Sequence, residues 1–151
     1  MRTLALVALA LLLAGIAYVR LAPMRTSDWH VAPDASRRTG KPNDYLVAED
    51  GDRATVLRSE APADLFSKID LIALSEPRTI RLAGTPHDRF ATYVQRSLLM
   101  GYPDAISVRA EPQGTGSRLT IWSRSRFGHG DLGVNRKRVA RWLDRLGEPE
   151  M

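Results

Sequence analysis

The longest apolar run of the chain lies at its N-terminus, where Thr3 to Val19 contains seventeen residues without a charged side chain. A membrane-spanning helix needs about 20 mainly apolar residues, whereas the core of a cleaved signal peptide has about 7–15. Tyr18 and Arg20 suit the boundary between bilayer and water, which favours an uncleaved signal anchor. The small residues of Gly15-Ile-Ala17 make cleavage the alternative. We therefore expect residues 1–20 to form a transmembrane signal anchor.

Polar and irregular sequence follows this run. Residues 21–43 contain three prolines, so we expect a linker or irregular arm there. Within it, Trp29-His30 is expected either to tuck against the following domain or to lie at the membrane surface. The rest of the chain is expected to form one α+β domain over residues 44–147, followed by a short tail over residues 148–151.

Alternating apolar and polar positions then predict short strands with one helix among them. Two strands flank the turn at Glu49-Asp-Gly-Asp52, a helix opens after Glu60 and reaches Ser75, and four strands follow. The predicted strands are Tyr45–Ala48, Ala54–Leu57, Arg78–Ala83, Phe90–Leu98, a segment around Ile106–Val108, and Arg118–Arg126. In the last strand, the core face alternates with a face that carries Thr120, Trp122, Arg124 and Arg126.

The C-terminal helix has the clearest pattern. Asp131 is its predicted N-cap, because the carboxylate can accept a hydrogen bond from a free backbone N–H. The apolar stripe has the spacing of one helix face, and a glycine ends it: Val139, Trp142, Leu143, Leu146 and then Gly147. The element order predicts the α+β class, with a mostly antiparallel sheet of about five to six strands and the C-terminal helix packed on one face. A helix-grip topology would accommodate this order.

Composition changes this picture mainly by exclusion. The chain has no cysteine, which excludes a disulfide scaffold, a thiol nucleophile and an acylated lipoprotein anchor. The net charge is +5. Most of the excess positive charge lies between Arg118 and Arg145, a segment that contains eight basic residues and two acidic ones. This basic region is either a solvated helix face or a contact for anionic phospholipid headgroups. Nucleic acid is not an expected partner, because the N-terminal segment indicates export.

The polar residues near the strand ends are the candidate site. We expect seven of them to converge where the strands meet the last helix: Arg96, Asp104, Arg124, Arg126, Asp131, Asn135 and Arg138. One interpretation is a network of salt bridges and caps that only supports the fold. The other is an anion site, because arginine forks recognise phosphate and carboxylate groups, with Trp122 and Tyr93 on one sheet face as its apolar wall. Both interpretations stay open.

Catalytic patterns are weak. His30, His87 and His129 lack the spacing of metal ligands, and Ser123 and Ser125 alternate on a strand instead of occupying a nucleophile elbow. Neighbouring arginines would keep the two aspartates of the candidate site ionised, which spoils an acid and base division of labour. We therefore expect a protein that is not an enzyme and that uses no metal ion or cofactor.

A continuous block from Ser123 to Arg138 (Ser-Arg-Ser-Arg-Phe-Gly-His-Gly-Asp-Leu-Gly-Val-Asn-Arg-Lys-Arg) resembles the signature of the bacterial family known as domain of unknown function 1499. The upstream elements Arg96-Ser97, Gly101-Tyr-Pro-Asp104, Pro42-Asn-Asp-Tyr45 and Glu76-Pro-Arg78 fit the same family, so the resemblance covers most of residues 28–147. It implies a small envelope or membrane-associated protein, and it brings no activity and no catalytic residues.

Taken together, we expect a single-pass protein of the bacterial inner membrane with its domain in the periplasm. The domain would bind an anionic lipid or an acidic small molecule. The alternative is a structural or interaction protein of the envelope, with unknown protein partners and no small-molecule site.

Overall fold

The structure is a computed structural model that describes residues 1–34, 38 and 40–147. The predicted tail over residues 148–151 lies outside the described residues. In chain order the helices and strands are α1 (Arg2–Leu21), α2 (Thr26–Trp29), β1 (Asp44–Val47), β2 (Val56–Arg58), α3 (Pro62–Ser75), β3 (Thr79–Thr85), β4 (Phe90–Arg96), β5 (Pro103–Gln113), β6 (Gly116–Ser125) and α4 (Val134–Arg145).

Helix α1 is apolar along its length, and none of its residues is buried. At about 1.5 Å per residue it reaches about 30 Å, which matches the hydrocarbon thickness of a bilayer. The helix is therefore long and apolar enough to cross a membrane, although a signal sequence near the N-terminus meets the same description.

The strands form one antiparallel six-stranded sheet in the order β1-β6-β5-β4-β3, and β2 also pairs with β6. The hairpin of β5 and β6 has the longest register, from Asp104 opposite Ser125 to Gln113 opposite Gly116. With α3 and α4 on one side of the sheet, the predicted α+β class is confirmed.

The two strands expected around the turn at Glu49–Asp52 are present, as β1 and β2. Strands β1 and β2 do not pair with each other as a hairpin; instead both lie along β6, with Leu46 opposite Trp122 and Val56 opposite Leu119. The turn is held by its own polar groups, because the Asp52 carboxylate accepts a hydrogen bond from the Leu46 N–H at 2.8 Å. This turn folds back on β1 and lets the chain continue along the same edge of β6.

The core lies between the sheet and the two helices. Trp142 of α4 is fully buried and meets the Tyr93 ring edge-on, with 6.0 Å between the ring centroids. Leu65, Phe66 and Ile69 of α3 fill the same layer. The apolar stripe predicted for the last helix therefore packs as expected.

Strand alternation gives the sheet two different faces, which we call the helix face and the outer face. Tyr93 is opposite Ile106, and Ile106 is opposite Ser123, so this row points toward α3 and α4. Trp122 lies in the neighbouring row and points to the outer face, where it packs with Leu46. The predicted apolar wall of Trp122 and Tyr93 is therefore wrong: the two residues are on opposite faces, and the Tyr93 hydroxyl donates to Asp70 of α3 at 2.5 Å.

The start of α4 also needs a correction. The helix begins at Val134, and its N-cap is Gly133, not Asp131. Leu132 and Gly133 have φ of 54° and 75°, so the backbone is left-handed there and cannot yet be helical. The Asp131 carboxylate nevertheless accepts hydrogen bonds from the backbone N–H groups of Gly133 and Asn135, at 2.9 and 2.7 Å.

Candidate functional site

The predicted site residues do not converge in one place. Asp104, Asn135 and Arg138 meet on the helix face, with Asp131 beside them. The second group lies on the outer face: Arg96, Trp122, Arg124 and Arg126. The reason is the two-residue period of β6, which sends Ser123 and Ser125 to the helices and Arg124 to the opposite side.

Arg138 is the centre of the helix-face cluster and is only 4% exposed. Its guanidinium donates to the Asp104 carboxylate and to the Gln95 side-chain oxygen, both at 2.6 Å. It also donates to Ser123 Oγ at 2.8 Å and to Asn135 Oδ1 at 2.7 Å. A buried cation with a carboxylate and three further acceptors is fully compensated.

Asn135 extends this cluster to the edge of the sheet. Its side-chain amide donates to the Asn43 carbonyl at 2.9 Å, to Ser125 Oγ at 3.0 Å and to the Asp131 carboxylate at 2.7 Å. Asn43 in turn donates to the carbonyl of Gly128 at 2.9 Å. The network joins the start of β1, strands β4 to β6, the glycine-rich turn and α4, and its polar groups bond to one another.

Two members of the network were not among the predicted site residues, namely Gln95 and Asn43. Gln95 lies on the helix face of β4, two residues after the buried Tyr93, and a polar residue on an otherwise apolar face was the available signal. Asn43 precedes β1. Its role depends on its contact with the turn at Gly128, which is far away in sequence, so no local pattern predicts it.

Arg124 is the centre of the outer-face cluster and is 7% exposed. It donates to the Trp29 carbonyl at 2.6 Å and to Ser107 Oγ at 3.2 Å. Its guanidinium carbon lies 4.1 Å from the centroid of Trp122 and 5.5 Å from that of Trp29. The cation therefore lies over the ring of Trp122 and, at a longer distance, over that of Trp29. Across residues 1–34, 38 and 40–147, no carboxylate forms a salt bridge with it.

The carboxylate whose charge acts on Arg124, that of Asp44, is already engaged by other donors. Asp44 accepts hydrogen bonds from Arg38 at 2.6 and 3.0 Å and from the Trp122 indole N–H at 2.8 Å. Burial lowers the pKa of Arg124 to about 10, and the charge of Asp44 opposes that shift only in part. Arg124 is therefore charged at neutral pH with little compensation from a neighbouring anion.

An open cavity of about 360 Å³ lies over this arginine, and we call it the outer groove. Trp122 and Arg124 line its sheet side, and the arm, which we define as residues 22–34, lines the other side through Trp29. The lining also contains charged groups of both signs, and the remaining lining residues are Asp28, Lys41, Asp44 and Arg126 together with Val31, Asn43 and Ser125. The groove is thus a partly apolar, partly charged cleft.

A second contact, centred on His30, holds the arm to the outer face. The His30 ring stacks on Phe90 with 4.1 Å between centroids, and its Nδ1 lies 2.9 Å from Thr92 Oγ1. Partial burial lowers the pKa of His30, while the charge of Asp88 acts in the opposite direction. Of the two placements expected for Trp29-His30, the structure has the pair tucked against the domain.

Arg96 and Arg126 contact the junction between α1 and the arm. Arg96 donates to the carbonyls of Val19 and Ala22, at 3.3 and 3.0 Å, and so satisfies acceptors at the end of α1. Arg126 donates to the carbonyl of Pro23. These two arginines attach the end of α1 to the sheet.

Across residues 1–34, 38 and 40–147, no three histidine, cysteine, aspartate or glutamate residues are grouped so that they could hold an ion.

The fold and its clusters define a class of protein: an α+β domain that follows an apolar helix and carries a charged groove on the sheet face opposite α3 and α4. The chain belongs to the family described as protein of unknown function (DUF1499), whose model matches residues 30–146. This confirms the resemblance found in the sequence. No curated protein matches the chain. No solved structure matches it either.

Proposed function

We propose that this protein is a membrane-anchored, extracytoplasmic domain of the bacterial envelope that binds an anionic amphiphile in the outer groove. The observation that carries the proposal is Arg124, a buried guanidinium close to two indole rings, whose hydrogen-bond partners are a hydroxyl and backbone carbonyls. A buried charge is costly unless an opposite charge accompanies it. A phosphate or carboxylate in the groove would provide that charge.

The shape and lining of the groove fit an amphiphile. Small-molecule sites occupy about 300–1,000 Å³, and this cavity has about 360 Å³. The two indoles offer apolar area next to the guanidinium, and Arg126 at the edge offers a second fork. A phospholipid headgroup and an acidic envelope metabolite share the chemistry that this lining would recognise.

Retention of α1 as an anchor is part of the proposal. The last turn of α1 contacts the domain, since Arg96 caps its carbonyls and Tyr18 meets the Phe127 ring at 6.1 Å. These contacts lie immediately after the small residues that would form a cleavage site, and they favour an intact helix. The signal-like layout of the N-terminus supports placing the domain in the periplasm.

Native mass spectrometry of the full-length chain, extracted in detergent from a bacterial inner membrane, tests the ligand. We expect a stoichiometric adduct on the wild type and its loss in Arg124→Met, whose apolar side chain can still pack against the indoles. Arg109→Met is the matched control. Arg109 is an exposed arginine on β5 of the same sheet, and it forms an ion pair with Glu111 at 2.9 Å.

The outcomes separate the proposal from its alternative. An adduct that persists in Arg124→Met contradicts the groove as the binding site. A clean mass for the wild type supports the second candidate, a structural or interaction protein of the envelope without a small-molecule site. The observation that favours this alternative is the self-contained network around Arg138.

A further inference from the structure

The turn between β4 and β5 exposes two leucines side by side. Leu98 is 68% exposed and Leu99 is 80% exposed, and Tyr102 at the end of the turn is also exposed. Adjacent exposed apolar side chains commonly mark a surface that meets a membrane or a partner. What this turn contacts within the molecule indicates which of the two it is.

The turn lies against the last turn of α1. Arg20 donates to the Leu99 carbonyl at 2.6 Å, and Gly101 lies so close to Arg20 that an added Cβ would come within 2.6 Å of the Arg20 side chain. Phe127 contacts both Tyr18 and Tyr102, each with 6.1 Å between ring centroids. If α1 spans a bilayer, the two leucines and this aromatic group lie at the membrane boundary, where tyrosines are enriched.

A basic pocket of about 330 Å³ opens next to the same turn. Among the residues that the structure describes, its lining contains three arginines, three apolar side chains and no acidic residue: Arg20, Arg78, Arg96, Ile80, Val94 and Leu98, together with Ser97 and Gly101. The arginines donate to backbone carbonyls, as Arg78 does to the Arg96 carbonyl at 3.0 Å. The pocket thus combines positive charge with an apolar wall.

We propose that this end of the sheet is a membrane-docking surface. Leu98 and Leu99 insert into the bilayer beside α1, and the pocket of Arg20, Arg78 and Arg96 holds the phosphate of an anionic phospholipid. The proposal rests on α1 as a membrane anchor, and it adds a second contact that fixes the orientation of the domain on the membrane. The outer groove is a separate site.

The absence of cysteine from the sequence makes single-cysteine labelling direct. We would place a bimane probe at Leu99→Cys, Leu11→Cys or Leu57→Cys in the full-length chain, in vesicles of phosphatidylcholine and phosphatidylglycerol that contain lipids with quenchers on their acyl chains. Leu11 is in the middle of α1 and reports on the anchor. Leu57 is 63% exposed, but it pairs with Arg118 at the opposite end of β6, so it is the matched control for Leu99.

Quenching at Leu11→Cys and Leu99→Cys, but not at Leu57→Cys, supports the docking surface. Quenching at Leu11→Cys alone overturns it and leaves the anchor intact. Equal quenching at Leu99→Cys and Leu57→Cys overturns it as well, because the domain then has no preferred membrane-facing end. Absence of quenching at all three positions overturns both the anchor and the docking surface.

The phosphate pocket has its own pair of variants. Arg78 and Arg89 are both exposed arginines with positive φ, 57° and 53°, but only Arg78 lines the pocket. One basic contact near an anionic surface contributes about 1 kcal/mol, so Arg78→Gln should weaken docking at Leu99→Cys about fivefold. Arg89→Gln should leave it unchanged. Equal effects of Arg78→Gln and Arg89→Gln would overturn the phosphate site. It would also be overturned if Arg78→Gln weakened docking as much in vesicles of phosphatidylcholine alone as in vesicles with phosphatidylglycerol.

Discussion

Arg138 and Arg124 occupy opposite faces of one sheet and are buried to nearly the same degree. Arg138 has a carboxylate, an amide oxygen and a hydroxyl from the domain itself. Arg124 has two indole faces, and its shortest hydrogen bond goes to a carbonyl of the arm. The comparison teaches that two similarly buried arginines can differ in compensation: Arg138 is paired with a carboxylate of the domain, whereas Arg124 forms no salt bridge with a carboxylate of the described residues.

The largest effect should come from breaking the helix-face pair. Asp104→Ala leaves the buried Arg138 guanidinium without its carboxylate, and this should lower the free energy of unfolding by about 3–5 kcal/mol. Denaturant unfolding of the full chain in detergent measures this change. The pair Asp104→Leu with Arg138→Met removes both charges and should recover much of the loss. A cost below about 1 kcal/mol for Asp104→Ala would mean that Arg138 is not held by this pair.

The next effect concerns the turn that leads into α4. Asp131→Ala removes the acceptor for two backbone N–H groups, and it should destabilise the protein by about 0.5–2 kcal/mol. Thermal unfolding followed by circular dichroism checks the value, and Asp131→Asn, which keeps an acceptor oxygen, should lose less. Unchanged thermal stability in Asp131→Ala would remove the carboxylate from the account of the helix start.

A smaller stability effect is expected on the outer face. Arg124→Met loses hydrogen bonds to Ser107 and to the arm but also removes a poorly compensated buried charge, so the net cost should be about 1 kcal/mol or less. The same denaturant experiment measures it. A cost as large as that of Asp104→Ala would place Arg124 with the structural cluster and end the distinction between the two faces.

The smallest effect should be a pH dependence of the arm. Because burial lowers the pKa of His30 in the folded protein, the docked arm favours the neutral ring. This contribution is present above the ordinary value of 6.5 and is lost as pH falls through the lower folded pKa. Trp29 fluorescence should therefore change as the pH falls from 6.5 through the lower pKa of His30 in the folded protein. His30→Gln should abolish this change. A pH profile that is the same in wild type and His30→Gln would contradict it.

Local patterns predicted most of the fold. The periods of β6 and α4 were sufficient to assign Trp122 and Arg124 to one face of the sheet and Trp142 to the core. The pairing of both β1 and β2 with β6 was not predictable in the same way, because it depends on how the turn after β1 folds back.

The predicted site residues fall into two clusters instead of one, and further residues that were not predicted join these clusters, namely Trp29, Asn43 and Gln95. Strand alternation already implied that Arg124 could not share a face with Ser123 and Ser125, yet which face the strand ends and α4 approach is a tertiary property. The register of β4, β5 and β6 then decided that Tyr93 and Trp122 lie on opposite faces. Gln95 and Asn43 join the network through contacts between segments far apart in sequence, and composition alone does not reveal these.

One spectrum can test the central distinction directly. In full-length protein with ¹⁵N-labelled arginine in detergent micelles, the Nε–H resonances of Arg124 and Arg138 are assigned from Arg124→Met and from Arg138→Met paired with Asp104→Leu, and monododecyl phosphate is then added. The account predicts that the Arg124 resonance shifts in a saturable manner while the Arg138 resonance stays fixed. An unchanged Arg124 resonance, or equal shifts of both, would contradict it.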